Sequence, residues 1–257
     1  MPPGARRDAC WDREAPHHDG AGQHPDHSSP LSRPTEVTLR APAPLETPLE
    51  AALRDDGSWE LMDGPTVVAV ARPVPVELSH LKGASLEEAR EAEKNPVIKP
   101  KEHLLPMCFV CGPDRPACDG LRIMAGPLRC RGRHGRVVQA ASWTPSQNLS
   151  ADDGLVAAEF VWAALDCPSG YAATYDPGRD GFDESPVLLG RLAACISHRP
   201  RAGEGCVVTA WETGREGRKR FAECAAFGED GRVLAVAKAT WIVVDRQVQL
   251  GRGMRLE

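Results

Sequence analysis

A single carboxylate, Asp166, stands in the middle of an otherwise almost wholly apolar run from Phe160 to Ala173, FVWAALDCPSGYAA. Burying an ionised carboxylate without partners is costly. Such a residue therefore either reaches solvent, as a helix cap or beside Cys167-Pro168, or has a chemical task. A carboxylate in that setting can activate water or attack an electrophilic carbon directly. Glu159 lies seven residues earlier, so on a regular helix the two acids share a face about 10 Å apart along the axis. That separation keeps both from touching one small reacting centre. Pro168 disfavours helical geometry at Cys167, which predicts that the helix kinks or ends just after Asp166.

Two other groups have reactive types at close spacing. Cys108-Phe109-Val110-Cys111-Gly112 is a C-x-x-C-G turn, and Cys118, Cys130, His103 and His134 are available to complete a tetrahedral zinc set. C-x-x-C joined to C-x-11-C is not a recognised zinc pairing, so unliganded small residues are the simpler expectation, with no metal and no cofactor. Cys167, Cys195, Cys206 and Cys224 lie in apolar segments and read as small core residues. Arg215, Arg218, Lys219 and Arg220 form a dense basic hairpin, suited to the phosphates of a nucleotide but equally compatible with a solvated turn. No interleaved aromatic residues accompany it, so nucleic acid is not expected.

The chain carries a net charge of −5, which removes any global attraction to nucleic acid or anionic membrane. Its 42% hydrophobic and 26% charged residues are those of a globular protein. No stretch approaches the roughly 18 apolar residues of a membrane span, and the opening MPPGARRDACWDREAP lacks the apolar core of a secretory signal. A cytoplasmic protein is expected. Its nine cysteines, an odd number, then favour reduced thiols over a disulfide framework.

The elements that must position these groups divide the chain unevenly. Residues 1–35 are rich in Pro, Gly, His and Asp and are expected to be a disordered tail; His17, His18, His24 and His27 match no defined metal spacing, and Trp11 is the lone large anchor. Residues 36–82 carry short β-type runs, Val37 to Leu39, Trp59 to Leu61 and Thr66 to Ala71, separated by Asp-Gly turns. Residues 83–106 read as a short solvated helix, capped by Ser85 with Glu88 three residues on, followed by an extended linker from Asn95 to Pro106. Residues 107–246 begin with strands at Leu121 to Met124 and Val137 to Trp143, then give the apolar helix. Four longer strands follow it: Leu188 to Ile196, Cys206 to Glu212, Phe221 to Phe227 and Val233 to Val244. Residues 247–257 are a C-terminal tail. A helix apolar on all sides, followed by four strands, predicts an α+β fold in which a curved antiparallel sheet wraps a central helix.

Three stretches resemble the hotdog-fold acyl-CoA thioesterases and dehydratases, in particular the branch related to phenylacetyl-CoA thioesterases. Cys108 to Pro113 with Gly120-Leu121-Arg122-Ile123 is similar to a leading segment C-x-x-C-G-P-x-N-P-x-G-L. Phe160 to Ala172 is similar to the central helix, with Asp166 at the catalytic carboxylate. Pro200 to Glu204, Gly217 to Arg220 and Asp230 to Ala235 are similar to final hairpins of the form P-x-x-G-D, G-R-R and D-G-x-L-V-A. The resemblance covers residues 105–245 and implies thioester hydrolysis with Asp166 and Glu159 as the acids. Trp162, Ser169 and Gly170 would bind substrate, Arg218, Lys219 and Arg220 would meet coenzyme A, and the thioester carbonyl would sit at the helix N-terminus. Ala157-Ala158-Glu159 replaces the family's His-Gly-Gly there, Arg115 replaces the Asn, and Ala117-Cys118-Asp119 lengthens the loop. A non-catalytic hotdog domain binding an acyl group or a protein is the alternative. The first half resembles an incomplete copy of the same unit, so an incomplete double hotdog, or a unit that pairs into a homo-oligomer, is expected.

Overall fold

The computed structural model describes residues 33–245 except 80, 82, 117, 132–136, 180 and 183–185, and not the side chains of residues 129–131. Residues 1–32 and 247–257 of the expected tails, with Trp11 and the four N-terminal histidines, lie outside the described residues, while Thr35, placed in the tail, belongs to the first strand.

Alternating and β-branched runs supply the strands, and tight turns reverse them. In chain order they are β1 (Thr35–Leu39), β2 (Glu50–Leu53), β3 (Trp59–Asp63), β4 (Thr66–Pro73), β5 (Gly126–Arg131) and β6 (Val137–Trp143). After the central helix come β7 (Tyr175–Asp176), β8 (Gly181–Phe182), β9 (Val187–Ile196), β10 (Cys206–Glu216), β11 (Lys219–Gly228) and β12 (Val233–Val243). The turn between β11 and β12 shows the local cause: Gly231 takes φ +80° and Arg232 N–H donates to Asp230 Oδ1 at 2.9 Å.

Ten strands form one antiparallel sheet ordered β2-β3-β4-β1-β9-β12-β11-β10-β6-β5, while β7 and β8 pair separately. Counted outward from the β1–β9 junction, β1-β4-β3-β2 repeats the order of β9-β12-β11-β10 on the other side. The helix α2 (Ala158–Thr174) lies against β6 and β9 to β12 and is enclosed by the main core. A single apolar helix held by a curved antiparallel sheet is the hotdog fold. The half formed by β1 to β4 has no such helix among the described residues. No described helix is long and apolar enough to cross a membrane.

The opposite face of the sheet holds the short helix α1 (Leu86–Ala92), started by the expected Ser85–Glu88 capping box. Ala89 and Ala92 pack on Val138, Ala140, Val207, Trp211 and Phe227. Along β6, Val138 and Ala140 therefore face α1, whereas Ala141 and Trp143 join the α2 core, as period-two alternation requires.

Two expected elements differ. Leu121 to Met124 is not a strand, because Leu121 and Ile123 N–H groups bond instead to Phe109 and Val110 carbonyls of the cysteine turn at 2.8 Å. The stretch from Asn95 to Pro106 is not a free linker: Pro96 and Val97 are buried, Val97 N–H bonds Ala125 O at 3.0 Å, and Pro100–Glu102 forms a 3₁₀ turn. Its prolines fix an extended path, but its apolar residues hold that path on the core.

A methyl group added at Gly126 would sit 2.0 Å from Ala92 O, on the backbone of α1. Gly126→Ala is expected to push α1 off the sheet and cost about 1–3 kcal/mol, read by denaturant unfolding. Unchanged stability would contradict the docking of α1 described here.

Candidate functional site

The middle of α2 bears a proline, yet the helix runs through Pro168 to Thr174. Of the kink or end expected just after Asp166, the end does not occur. Beside the proline, Ser169 O–H donates to Asp166 O at 2.6 Å, and further on Thr174 O–H donates to Gly170 O at 2.9 Å. Trp241 of β12 in turn donates its indole N–H to Ser169 Oγ at 2.9 Å. Gly170 lets this indole lie flat on the helix, since a Cβ there would be 2.9 Å from the ring.

Beside this contact opens a cavity of about 260 Å³. Its walls are mostly apolar, with Ile98 and Leu105 from the segment before the cysteine turn, Phe182 of β8, Val187 and Leu189 of β9, and Trp241. The C-terminal half of α2 supplies Asp166, Cys167, Gly170, Tyr171 and Thr174, and Glu102, His103, Cys108 and Cys111 close the other side. The proline-rich segment is thus a wall of the cavity, which its composition did not announce.

Asp166 is half-buried and lines the cavity, while its Oδ1 is fully buried with no hydrogen-bond partner among the described residues. Burial, and then the negative Cys108 sulfur, push its carboxyl up to about 7. Cys108, Cys111 and Cys167 place their sulfurs within 4.8 Å of one another, with Cys108 Sγ and Cys167 Sγ 3.6 Å apart. The thiols of Cys111 and Cys167, helped by the Cys111 and Val110 backbone amides, hold Cys108 far below the usual thiol range. The same sharing pushes the Cys111 and Cys167 thiols up. His103 Nε2 is 3.2 Å from Cys111 Sγ and 3.4 Å from Tyr171 Oη, and burial pulls the imidazole below its ordinary value.

Of the residues read from sequence as site candidates, Asp166 and Gly170 line the cavity together. Ser169 is buried behind them and engaged with Trp241 and the helix backbone. Glu159 is exposed on the first turn of α2 and does not reach the cavity, and Trp162 packs against the core outside it. Arg218 and Lys219 are exposed on the β10–β11 turn, Lys219 within 3.8 Å of Glu216. Arg220 is half-buried and directly opposite Trp241, so it shares the face of the sheet that carries this cavity wall.

The helix N-terminus is not part of the cavity, against expectation: no residue from 157 to 161 lines it. Val156 and Ala157 N–H bond the Pro200 and Leu149 carbonyls, and the buried Arg199 pairs with Asp153 beside them, so this end is tied into the core. Cys167 is likewise not a plain core residue, because it faces Cys108 and the cavity. The zinc set considered from sequence changes accordingly. Cys118 is exposed and outside the cluster, the Cys130 side chain and His134 lie outside the described residues, and Cys167 takes their place. Only the pairing of a distant helix with the cysteine turn reveals this, which spacing cannot do.

Comparison of the sequence with protein-family models finds no match, and neither does comparison with curated proteins. Among solved structures the chain is similar to PaaI of Escherichia coli, from the phenylacetic acid degradation operon, at 9% identity and a TM-score of 0.37. That likeness covers 42% of this chain and 73% of that one. A protein described as a hypothetical thioesterase of Streptococcus pneumoniae, solved with coenzyme A, is similar at 10% identity and a TM-score of 0.36, over 42% of this chain and 81% of that one. A Streptococcus mutans protein bound to acetyl CoA is similar at 10% identity and a TM-score of 0.37, over 47% and 88%.

Replacing Ser169 by Ala would strand the buried Trp241 indole N–H without its acceptor. The expected loss is about 1–3 kcal/mol in denaturant unfolding. A variant as stable as the parent would show that this contact does not hold the cavity wall.

Proposed function

We propose that the protein hydrolyses an acyl-CoA thioester, with the acyl group in the apolar cavity and Asp166 acting on the carbonyl beside it. One observation carries this reading: a carboxylate whose Oδ1 is buried without a partner among the described residues lines a mostly apolar cavity. Such a group is costly to keep and is suited to a reaction that needs a poorly solvated base. In the simplest course Asp166 takes a proton from water as the water oxygen bonds to the thioester carbon. The C–S bond then breaks, the carboxylic acid is released, and coenzyme A leaves as the thiol after regaining that proton. Arg220, on the face next to Trp241, is placed in this reading to meet a phosphate of coenzyme A, with Arg218 and Lys219 adding positive potential at the same turn. The strand-order repeat supports reading residues 36–82 as a partial first unit and 107–246 as the complete one.

A second reading, capture of an acyl group without hydrolysis, has its own support. Val156 and Ala157, leading into α2, are tied into the core and no residue from 157 to 161 lines the cavity, so this helix end lies away from where a developing oxyanion would need it.

A panel of short to medium acyl-CoA esters, with the released thiol measured by a colour reagent, separates the two. Hydrolysis of at least one ester is expected, with Asp166→Asn lowering kcat on the order of 10²- to 10⁴-fold at unchanged near-UV circular dichroism. Tight binding of acyl-CoA with no turnover on any ester would overturn hydrolysis in favour of capture.

Arg220→Gln is expected to raise KM for the CoA ester about tenfold, the effect of one lost charge-assisted hydrogen bond, and to leave KM for a truncated N-acetylcysteamine thioester unchanged. Equal effects on both substrates would remove Arg220 from phosphate recognition.

A further inference from the structure

The cysteine turn is built more tightly than a surface loop needs to be. Cys108 N–H bonds Leu105 O at 2.9 Å, Gly112 N–H bonds Cys108 O at 2.8 Å, and Asp114 N–H bonds Pro106 O at 3.0 Å. A Cβ at Gly112 would lie 2.5 Å from both Cys108 O and Pro106 O, so only glycine closes the turn. This brings Cys108 and Cys111 to the same point, and α2 delivers Cys167 to it from 56 residues further along the chain.

Three sulfurs within 4.8 Å of one another, two of them at 3.6 Å, do not suit a disulfide, which joins only two sulfurs at about 2.05 Å. They do suit a tetrahedral metal. Zinc–sulfur bonds of about 2.3 Å at tetrahedral angles put ligand sulfurs about 3.8 Å apart, and a zinc–nitrogen bond of about 2.0 Å puts an imidazole nitrogen about 3.5 Å from each sulfur. His103 Nε2 stands 3.2 Å from Cys111 Sγ but not within 4.8 Å of all three sulfurs, so its ring must swing inward to complete the set. We propose that Cys108, Cys111 and Cys167, with His103, bind a zinc ion that fastens the cavity wall to the central helix.

The ligand chemistry selects the metal. Thiolates with one imidazole favour zinc over magnesium, calcium or manganese, which prefer oxygen ligands. On binding, the thiols that still carry protons release them to solvent. His103 now accepts the Leu105 N–H at Nδ1, at 3.1 Å, which places its ring proton on Nε2. Ligation through Nε2 transfers that proton to Nδ1 and breaks the Leu105 bond, so His103 is the weakest of the four ligands. The consequence is mechanical. The segment carrying Ile98 and Leu105, one wall of the cavity, is joined by metal to the helix that bears Asp166, whatever reaction that residue performs.

The test uses the full-length chain, expressed with zinc and purified under reducing conditions without chelator. Elemental analysis is expected to find about one zinc ion per chain, released by a mercurial reagent and caught by a chromogenic chelator. Cobalt(II) added to the metal-free chain should give sulfur-to-cobalt charge-transfer bands with intense tetrahedral d–d bands. Cys167→Ala should abolish both, His103→Ala should weaken zinc retention, and Cys118→Ala, outside the cluster, should retain full zinc. Should the cysteine variants fail to fold, the parent protein alone decides through its zinc content and cobalt spectrum. A parent chain with only trace zinc and no cobalt bands would overturn the site, as would loss of zinc in Cys118→Ala equal to that in Cys167→Ala.

Discussion

The site depends on how a carboxylate is kept inside an apolar helix that a sheet encloses. Asp166 projects from α2 with Oδ1 buried and, among the described residues, unbonded, and the cavity beside it is what makes this tolerable. A well-packed apolar environment would force the acid to find a partner or give way to a neutral residue. Here Trp241 and Gly170 keep the helix and β12 in flat contact just past Asp166, and Ser169 satisfies the indole N–H. The helix continues past Pro168 far enough for Tyr171 and Thr174 to form the rest of the wall.

The sheet explains why the cavity lies where it does. β9 joins the two halves, pairing with β12 on one side and β1 on the other, and its Val187 to Leu189 segment lines the cavity. The strand order repeats across that junction, but among the described residues only one half carries a helix in its curve. The resulting site is asymmetric: one helix provides an acid, and the opposite wall comes from the segment leading into the cysteine turn. The thiol cluster lies where this segment meets the helix, so wall position and acid position are mechanically linked.

Much of this was legible from the residues. β6 runs from Val137 to Trp143 as its alternation predicts, and the Ser85–Glu88 pair caps α1 because capping is local chemistry. The all-round apolar character of the Asp166 helix announced its enclosure. What local pattern could not supply was tertiary compensation. Pro168 reads as a break, yet the helix, enclosed by the sheet, runs on to Thr174. Leu121 to Ile123 has a strand's composition, but its backbone is taken by the cysteine turn. The site was half legible: Asp166 stands out by type and setting, whereas Cys167, Tyr171 and His103 meet only through contacts between distant segments. Glu159 shares a helix face with Asp166 by spacing, but it sits on the exposed first turn, away from the cavity.

The most direct measurement is a crystal structure of the wild-type chain with an acyl-CoA analogue in which a methylene replaces the thioester sulfur. The acyl group should occupy the space between Trp241 and Leu189, with its carbonyl against the Asp166 carboxylate. An acyl group bound elsewhere, with Asp166 covered by protein and out of its reach, would contradict the account.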